Sequence, residues 1–143
     1  MEWFETHYTI LESDYPYTGV DGKCHYDASQ GLFEISSVTT VKGDVASIKA
    51  AVTQQPLSIA LDAGSRVFQS YTSGVIDAKS CGTQLNHAVV MVGYGTDTDS
   101  GLDYWLVRNS WGTSWGDNGF VRIAAVEGKG ICGINGEVYY ATI

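Results

Sequence analysis

From residue 87 onward the chain repeats one pattern: a short run of β-branched and aromatic residues, then a break rich in Gly and Asp. The runs are 87–94 (HAVVMVGY), 104–109 (YWLVRN), 119–124 (GFVRIA) and 137–142 (EVYYAT). Runs this short, at this spacing, fit an antiparallel sheet or small barrel. Seventeen glycines and nine tyrosines beside four tryptophans agree, since these residues favour turns and strands over a helical bundle.

The earlier part of the chain is more mixed. Residues 2–8 carry aromatics at 3, 4 and 8 with acids at 2 and 5, as in the last turns of an amphipathic helix that has no cap ahead of it. Residues 13–31 are dense in Asp, Gly, Ser and Pro and predict irregular chain. Val38–Val41 predicts a short strand, and Gly43-Asp44 caps a helix over 45–54 with Val45, Ile48, Ala51 and Val52 on one face. Gln55-Pro56 ends that helix, because the residue before a proline is pushed out of the α region. Leu57–Leu61 alternates as a strand, and Val67–Tyr71 predicts a single helical turn.

Charge narrows the function classes. A net charge of −8, with eight basic residues and no two adjacent, does not suit a nucleic-acid backbone. No apolar run approaches the roughly 18–20 residues of a membrane span. The opening Met1-Glu2-Trp3-Phe4-Glu5 has neither the basic nor the apolar region of a signal peptide, and no N-x-Ser/Thr sequon occurs. Cys24, Cys81 and Cys132 allow at most one internal disulfide, and equally allow three ordinary thiols. A zinc site lacks the C-x2-C or H-x3-5-H spacing it would need.

Three histidines could do proton chemistry. His7 at a polar helix end and His25 in an acidic loop read as surface residues. His87 opens a strand that is apolar on both faces, so it stands where a buried layer emerges. Asn109 ends the next run, which a turn brings back antiparallel. An asparagine oxygen can accept the N–H of one imidazole nitrogen and aim the other at a nucleophile. Trp111, two residues on, projects to the same side as Asn109 and could cover the bond.

The stretch 109–123, NSWGTSWGDNGFVRI, closely resembles the asparagine motif of papain-like cysteine proteases, N-S-W-G-x-x-W-G-x-x-G-[FY]. The stretch 86–95, NHAVVMVGYG, is similar to that family's histidine motif. Tyr15-Pro16-Tyr17, the PLSIA run at 56–60, Gly74-Val75-Ile76 and Cys132-Gly133-Ile134 match in order too, nearest to the cathepsin L-like branch. The resemblance implies an α+β chain: a papain-like right-lobe antiparallel β-barrel with short helices over 31–143, and a remnant of the helical left lobe over 1–30. It implies a cysteine endopeptidase working through an acyl-enzyme, with no cofactor and no metal. His87 is then the catalytic imidazole, Asn109 its orienting amide, Trp111 a shield that also lines the leaving-group side, and Trp115 a supporting aromatic.

The same resemblance exposes departures. The family's nucleophile sits in a C-G-[SA]-C-[WY] context well upstream of the histidine, and nothing of that kind precedes His87. The oxyanion-binding glutamine and the glycine-rich substrate strand are missing as well, so the chain alone is expected to be inactive. Cys81 and Cys132 match the family's right-lobe disulfide, while the partner of Cys24 would lie in the missing segment. Disulfides imply a secreted or lysosomal setting. Ala60, Leu85, Asn86, Ala88 and Glu137 match substrate-binding positions; the small and apolar ones suit Leu, Phe or Val at P2, and Glu137 at the pocket floor suits Arg. Implied partners are protein or peptide substrates, the missing N-terminal segment as the same gene product or a companion chain, and protein inhibitors or a propeptide. The competing reading is a protease-like barrel kept as an inactive binding or structural module. A transglutaminase-like acyltransferase is a third, and N-S-W-G-x-x-W-G is not its pattern.

Overall fold

The computed structural model describes residues 2–143. Strand β1 (Ser37–Thr40) leads to helix α1 (Val45–Gln54). The helix begins where the Asp44 carboxylate accepts the Ser47 N–H at 2.8 Å, satisfying one of the orphan donors of its first turn. It ends at Gln55, whose φ of −164° and ψ of 162° are the extended backbone that the following proline imposes. Ile48 and Val52, one turn apart, are its buried residues. Strand β2 (Leu57–Leu61) alternates as expected, with Leu57, Ile59 and Leu61 buried and Ser58 and Ala60 half-buried.

The expected turn after β2 is helix α2 (Arg66–Gln69), one residue earlier than the aromatic spacing suggested, because Ser65 caps it through the Phe68 N–H. A two-residue strand, β3 (Val75–Ile76), follows; it is too short to show a period. Strands β4 (His87–Thr96), β5 (Asp103–Arg108), β6 (Phe120–Ala124) and β7 (Val138–Thr142) complete the set. The order across the sheet is β1-β7-β2-β4-β5-β6-β3. Strands β4, β5 and β6 pair antiparallel as expected, and the added β3–β6 pairing is parallel, so the sheet as a whole is mixed.

Central strand β4 pairs with β2 on one side and β5 on the other, and α1 packs on it. Its buried residues Val89 and Met91 share one core cluster with Trp105 and Val107 of β5 and Val121 and Ile123 of β6. Burying side chains of this size contributes about 1.5–3 kcal/mol each, which makes this the main source of stability.

Two compact units divide the chain: residues up to Thr39 together with Ala141–Ile143, and Thr40–Tyr140. Within the first unit the Ser36 N–H and hydroxyl both donate to the Thr142 carbonyl, at 2.7 and 3.1 Å. Within that unit the expected helix over 2–8 is a single 3₁₀ turn, Glu2–Glu5. The His7 ring stops it by stacking on Trp3, centroids 3.9 Å apart, with Nδ1 2.9 Å from the Trp3 carbonyl.

Covalent and ionic ties hold the long loops of the second unit. Cys81 and Cys132, 51 residues apart, are bonded with Cα atoms at 4.9 Å, and Cys24 is free and exposed. In the loop after β4 the buried Asp97 carboxylate accepts the Ser100 hydroxyl at 2.7 Å and N–H at 2.9 Å and pairs with Arg122. The Ser100 bonds, then the Arg122 charge, hold this carboxyl below its usual range against the opposing effect of burial.

Two outcomes follow for stability. A Cys81→Ser/Cys132→Ser variant should lose about 4 kcal/mol in reversible urea unfolding, the loop-closure entropy of a linkage this long. A depressed carboxylate pKa stabilises the fold above the unfolded value near about 3.9, and the contribution is lost as pH falls through the lower folded value. Unfolding midpoints measured across this acidic window should therefore fall with pH, and Asp97→Asn should flatten the slope.

Candidate active site

Strand parity brings the site together. Val90 pairs with Arg108, so continuing that register places Asn109 across from Val89 and Trp111 across from His87, all on one face. The chain leaves the ladder after Arg108, and the Asn109 N–H still donates to the Gly119 carbonyl at 2.9 Å, which holds the turn against β6. Gly116, at φ +61°, makes that turn possible: a Cβ there would stand 2.6 Å from the Phe120 carbonyl oxygen.

His87 Nε2 lies 2.8 Å from Asn109 Oδ1. The same oxygen accepts the Ser110 N–H at 2.8 Å, and only the amide oxygen can accept from a backbone N–H. That fixes the orientation of the amide, so His87 Nε2 is the donor and carries hydrogen in the neutral ring. The lone pair then sits on Nδ1. Asn109 is 8% exposed, and its Nδ2 has no protein partner among the described residues.

An aromatic cluster surrounds the pair. The Trp111 ring lies 5.1 Å from the imidazole, tilted by 35°, and is itself 40% exposed, so it lids the bond from the solvent side. Trp115 meets Trp111 edge-on at 5.3 Å and donates its indole N–H to the Gln69 carbonyl at 3.1 Å. Phe68, wholly buried on α2, touches all three rings: 6.4 Å from His87, 5.5 Å from Trp111 and 5.0 Å from Trp115. Sequence reasoning did not assign Phe68 to the site. Its signal was the buried-facing position one turn after a Ser cap.

Of the remaining candidates, Ala60 and Ala88 lie on the other face of the sheet. Ala88 pairs with Ala60, and the Ala60 N–H donates to the Glu137 carbonyl at 3.1 Å, so Ala88, Ala60 and Glu137 form a row across three strands. Leu85 lies over Gly133 and Gly136: a Cβ on either would come within 2.9 and 3.3 Å of its methyl groups. Glu137 is exposed. The Asn86 side chain is engaged internally: its Oδ1 accepts the Ala63 N–H at 2.9 Å and its Nδ2 donates to Asp62 at 3.3 Å.

Among the described residues no group of His, Cys, Asp and Glu has the arrangement of a metal site, and no helix is long and apolar enough to cross a membrane.

Comparison with known proteins gives these features a lineage. The family described as papain family cysteine protease matches residues 1–142. Cysteine proteinase COT44 of Brassica napus is 47% identical over 140 residues, covering 90% of this chain and 40% of that protein. Cathepsin L of Sarcophaga peregrina is 44% identical over 135 residues, covering 92% of this chain and 39% of that protein. The chain thus spans about two fifths of the length of these relatives. Among solved structures, the bromelain protease of Ananas comosus, in complex with the inhibitor E64, superposes with a TM-score of 0.86 at 36% identity over 99% of this chain and 66% of that one. Digestive procathepsin L2 of Tenebrio molitor gives 0.87 at 37% identity over 97% of this chain and 44% of that one. With its papain-like sheet, its right-lobe disulfide and a match along its whole length, the chain belongs to the papain family of cysteine proteases.

Proposed function

We infer that this chain supplies the histidine and asparagine half of a thiol endopeptidase site, with the nucleophilic cysteine contributed by a segment outside these 143 residues. The observation that carries the reading is the 2.8 Å bond from His87 Nε2 to Asn109 Oδ1 under the Trp111 ring. It leaves Nδ1 as the atom available to a thiol. Proton transfer from the thiol to Nδ1 yields a thiolate–imidazolium pair, the nucleophilic form of cysteine. The thiolate attacks the peptide carbonyl, and the Nδ1 proton passes to the leaving amine as the C–N bond breaks. Water, deprotonated by the now neutral Nδ1, attacks the acyl group, and the thiol takes the proton back as it leaves.

Asn109 holds the ring through Nε2 during both transfers, and Trp111 keeps water from competing for that bond. The row of Ala88, Ala60 and Glu137 beside Leu85 suits the P2 side chain, with the exposed carboxylate available to an arginine. Protein or peptide substrates, a propeptide or a protein inhibitor would bind at the end of the sheet where β4 begins, with P2 against this row and the scissile bond at His87. A secreted or lysosomal setting fits the Cys81–Cys132 bond.

The purified chain should show no turnover of a Phe-Arg fluorogenic peptide that an epoxide thiol trap abolishes. Supplying the upstream segment with its cysteine, in cis or as a second chain, should restore it, and His87→Ala should then remove it. Trap-sensitive turnover by the chain alone would mean that Cys24 acts as nucleophile and the reading is wrong.

In the complemented enzyme, Glu137→Ala should lower kcat/KM for an Arg-Arg peptide by about tenfold, the loss of one charge-assisted hydrogen bond, with much less effect on Phe-Arg. Equal losses on both substrates would mark Glu137 as structural.

A further inference from the structure

Asp62 follows the last residue of β2, is 9% exposed, and has no part in the chemistry above. Its carboxylate collects three donors from two segments, the turn that follows it and the stretch just before β4. Oδ1 accepts the Gly64 N–H at 3.0 Å and an Asn86 Nδ2–H at 3.3 Å, and Oδ2 accepts the Gln84 N–H at 3.0 Å. Gly82, at φ +83°, lies so close that a Cβ there would overlap Oδ2. The Gln84 and Gly64 N–H groups hold this carboxyl below its usual range although burial opposes them.

Both segments run directly into the site. Gly64 precedes Ser65, whose hydroxyl caps α2 and so places Phe68 against His87 and Trp111. Asn86 precedes His87 and is fixed again by its own N–H, which donates to the Leu61 carbonyl at 3.0 Å. Leu61 and His87 are the last registered pair of the β2–β4 ladder. Beyond it the order is continued by side chains: Asn86 Oδ1 on the Ala63 N–H, and Asn86 Nδ2 on Asp62.

We propose that Asp62 is a positioning residue for His87, acting through Asn86 and the Gly64–Phe68 turn to set the direction from which the imidazole meets Asn109. The arrangement also accounts for an amide at position 86. That site must accept from Ala63 and donate to Asp62 at once, and a carboxylate there would face a second carboxylate at hydrogen-bond distance, where both cannot ionise easily. Asp62 touches neither substrate nor reacting atoms.

The proposal rests on reading His87 as the acid–base group, but its test does not use turnover, so the two can fail separately. The measurement is the solvent exchange rate of the His87 Nε2–H in the 15N-labelled 143-residue chain, taken where the core amide spectrum of each variant is native. Asp62→Ala and Asn86→Ala should each speed that exchange by about tenfold or more, because the hydrogen bond to Asn109 loosens. Asp62→Asn, which keeps one acceptor oxygen, should fall between them and the wild type. The control is Asp97→Ala, which removes a buried carboxylate beyond the far end of β4, about 30 Å along the strand, and should leave exchange within about twofold. If Asp62→Ala does not fold, Asp62→Asn and Asn86→Ala decide by the same thresholds. Exchange within twofold of the wild type in the residue 62 and 86 variants would overturn the proposal. So would an equal acceleration in Asp97→Ala, since the effect would then be general loosening.

Discussion

The pairing of β4 with its two neighbours decides where every site side chain faces. Leu57 meets Met91, Leu61 meets His87 and Val90 meets Arg108, and these matches leave no freedom in parity. Odd-numbered residues at the start of β4 point toward Trp105 and Val107, and even-numbered ones point away. A slip of one residue would bury Ala88 and Val90, expose Val89 and Met91, and carry His87 to the face opposite Asn109. The core therefore enforces the His87–Asn109 contact. Its driving force is the burial of Met91 and Leu57, which is far larger than any single polar contact at the site.

A second theme is how an acidic chain uses its carboxylates. Asp44, Asp62 and Asp97 each accept a backbone N–H from a nearby loop or helix start, and in each the largest cause of the lowered pKa is a hydrogen bond from a Ser or a backbone N–H, with Lys42 second for Asp44. With eight Lys and Arg against sixteen acids there are too few cations to pair them all. Loop N–H groups are the alternative donors, and they give direction as well as charge compensation. The acidic balance that argues against nucleic acid thus also explains how long irregular segments are held in place.

Much of this was legible in the residues. Helix α1 could be read to the residue because Asp44 and Pro56 act locally, and β2 because its alternation is unbroken. The His87–Asn109 contact followed from strand parity once the turn between the two runs was recognised. What escaped the reading depended on distant partners. The parallel strand Val75–Ile76 exists only because β6 lies beside it, and two residues carry no period. The turn at Glu2–Glu5 is ended by His7 folding back on Trp3, a ring contact that no helical spacing predicts. Phe68 reached the site through a cap, and Asp62 through three loop donors, two of them more than twenty residues away. The family's two motifs filled part of this gap, since they encode positions that only the assembled sheet brings together.

The cysteines have a kinetic consequence. Thiol–disulfide exchange needs an attacking thiolate in line with a disulfide sulfur, so access governs its rate as much as potential does. Cys81 and Cys132 are each 1% exposed, whereas Cys24 stands in solvent. The native fold therefore shields its own cross-link from the one thiol in the chain that could scramble it. In an oxidising medium Cys24 remains open to a thiol outside these 143 residues, and mispairing with Cys81 or Cys132 can arise only from chains that have first unfolded. Refolding from the reduced state is then the step at which correct pairing must be won.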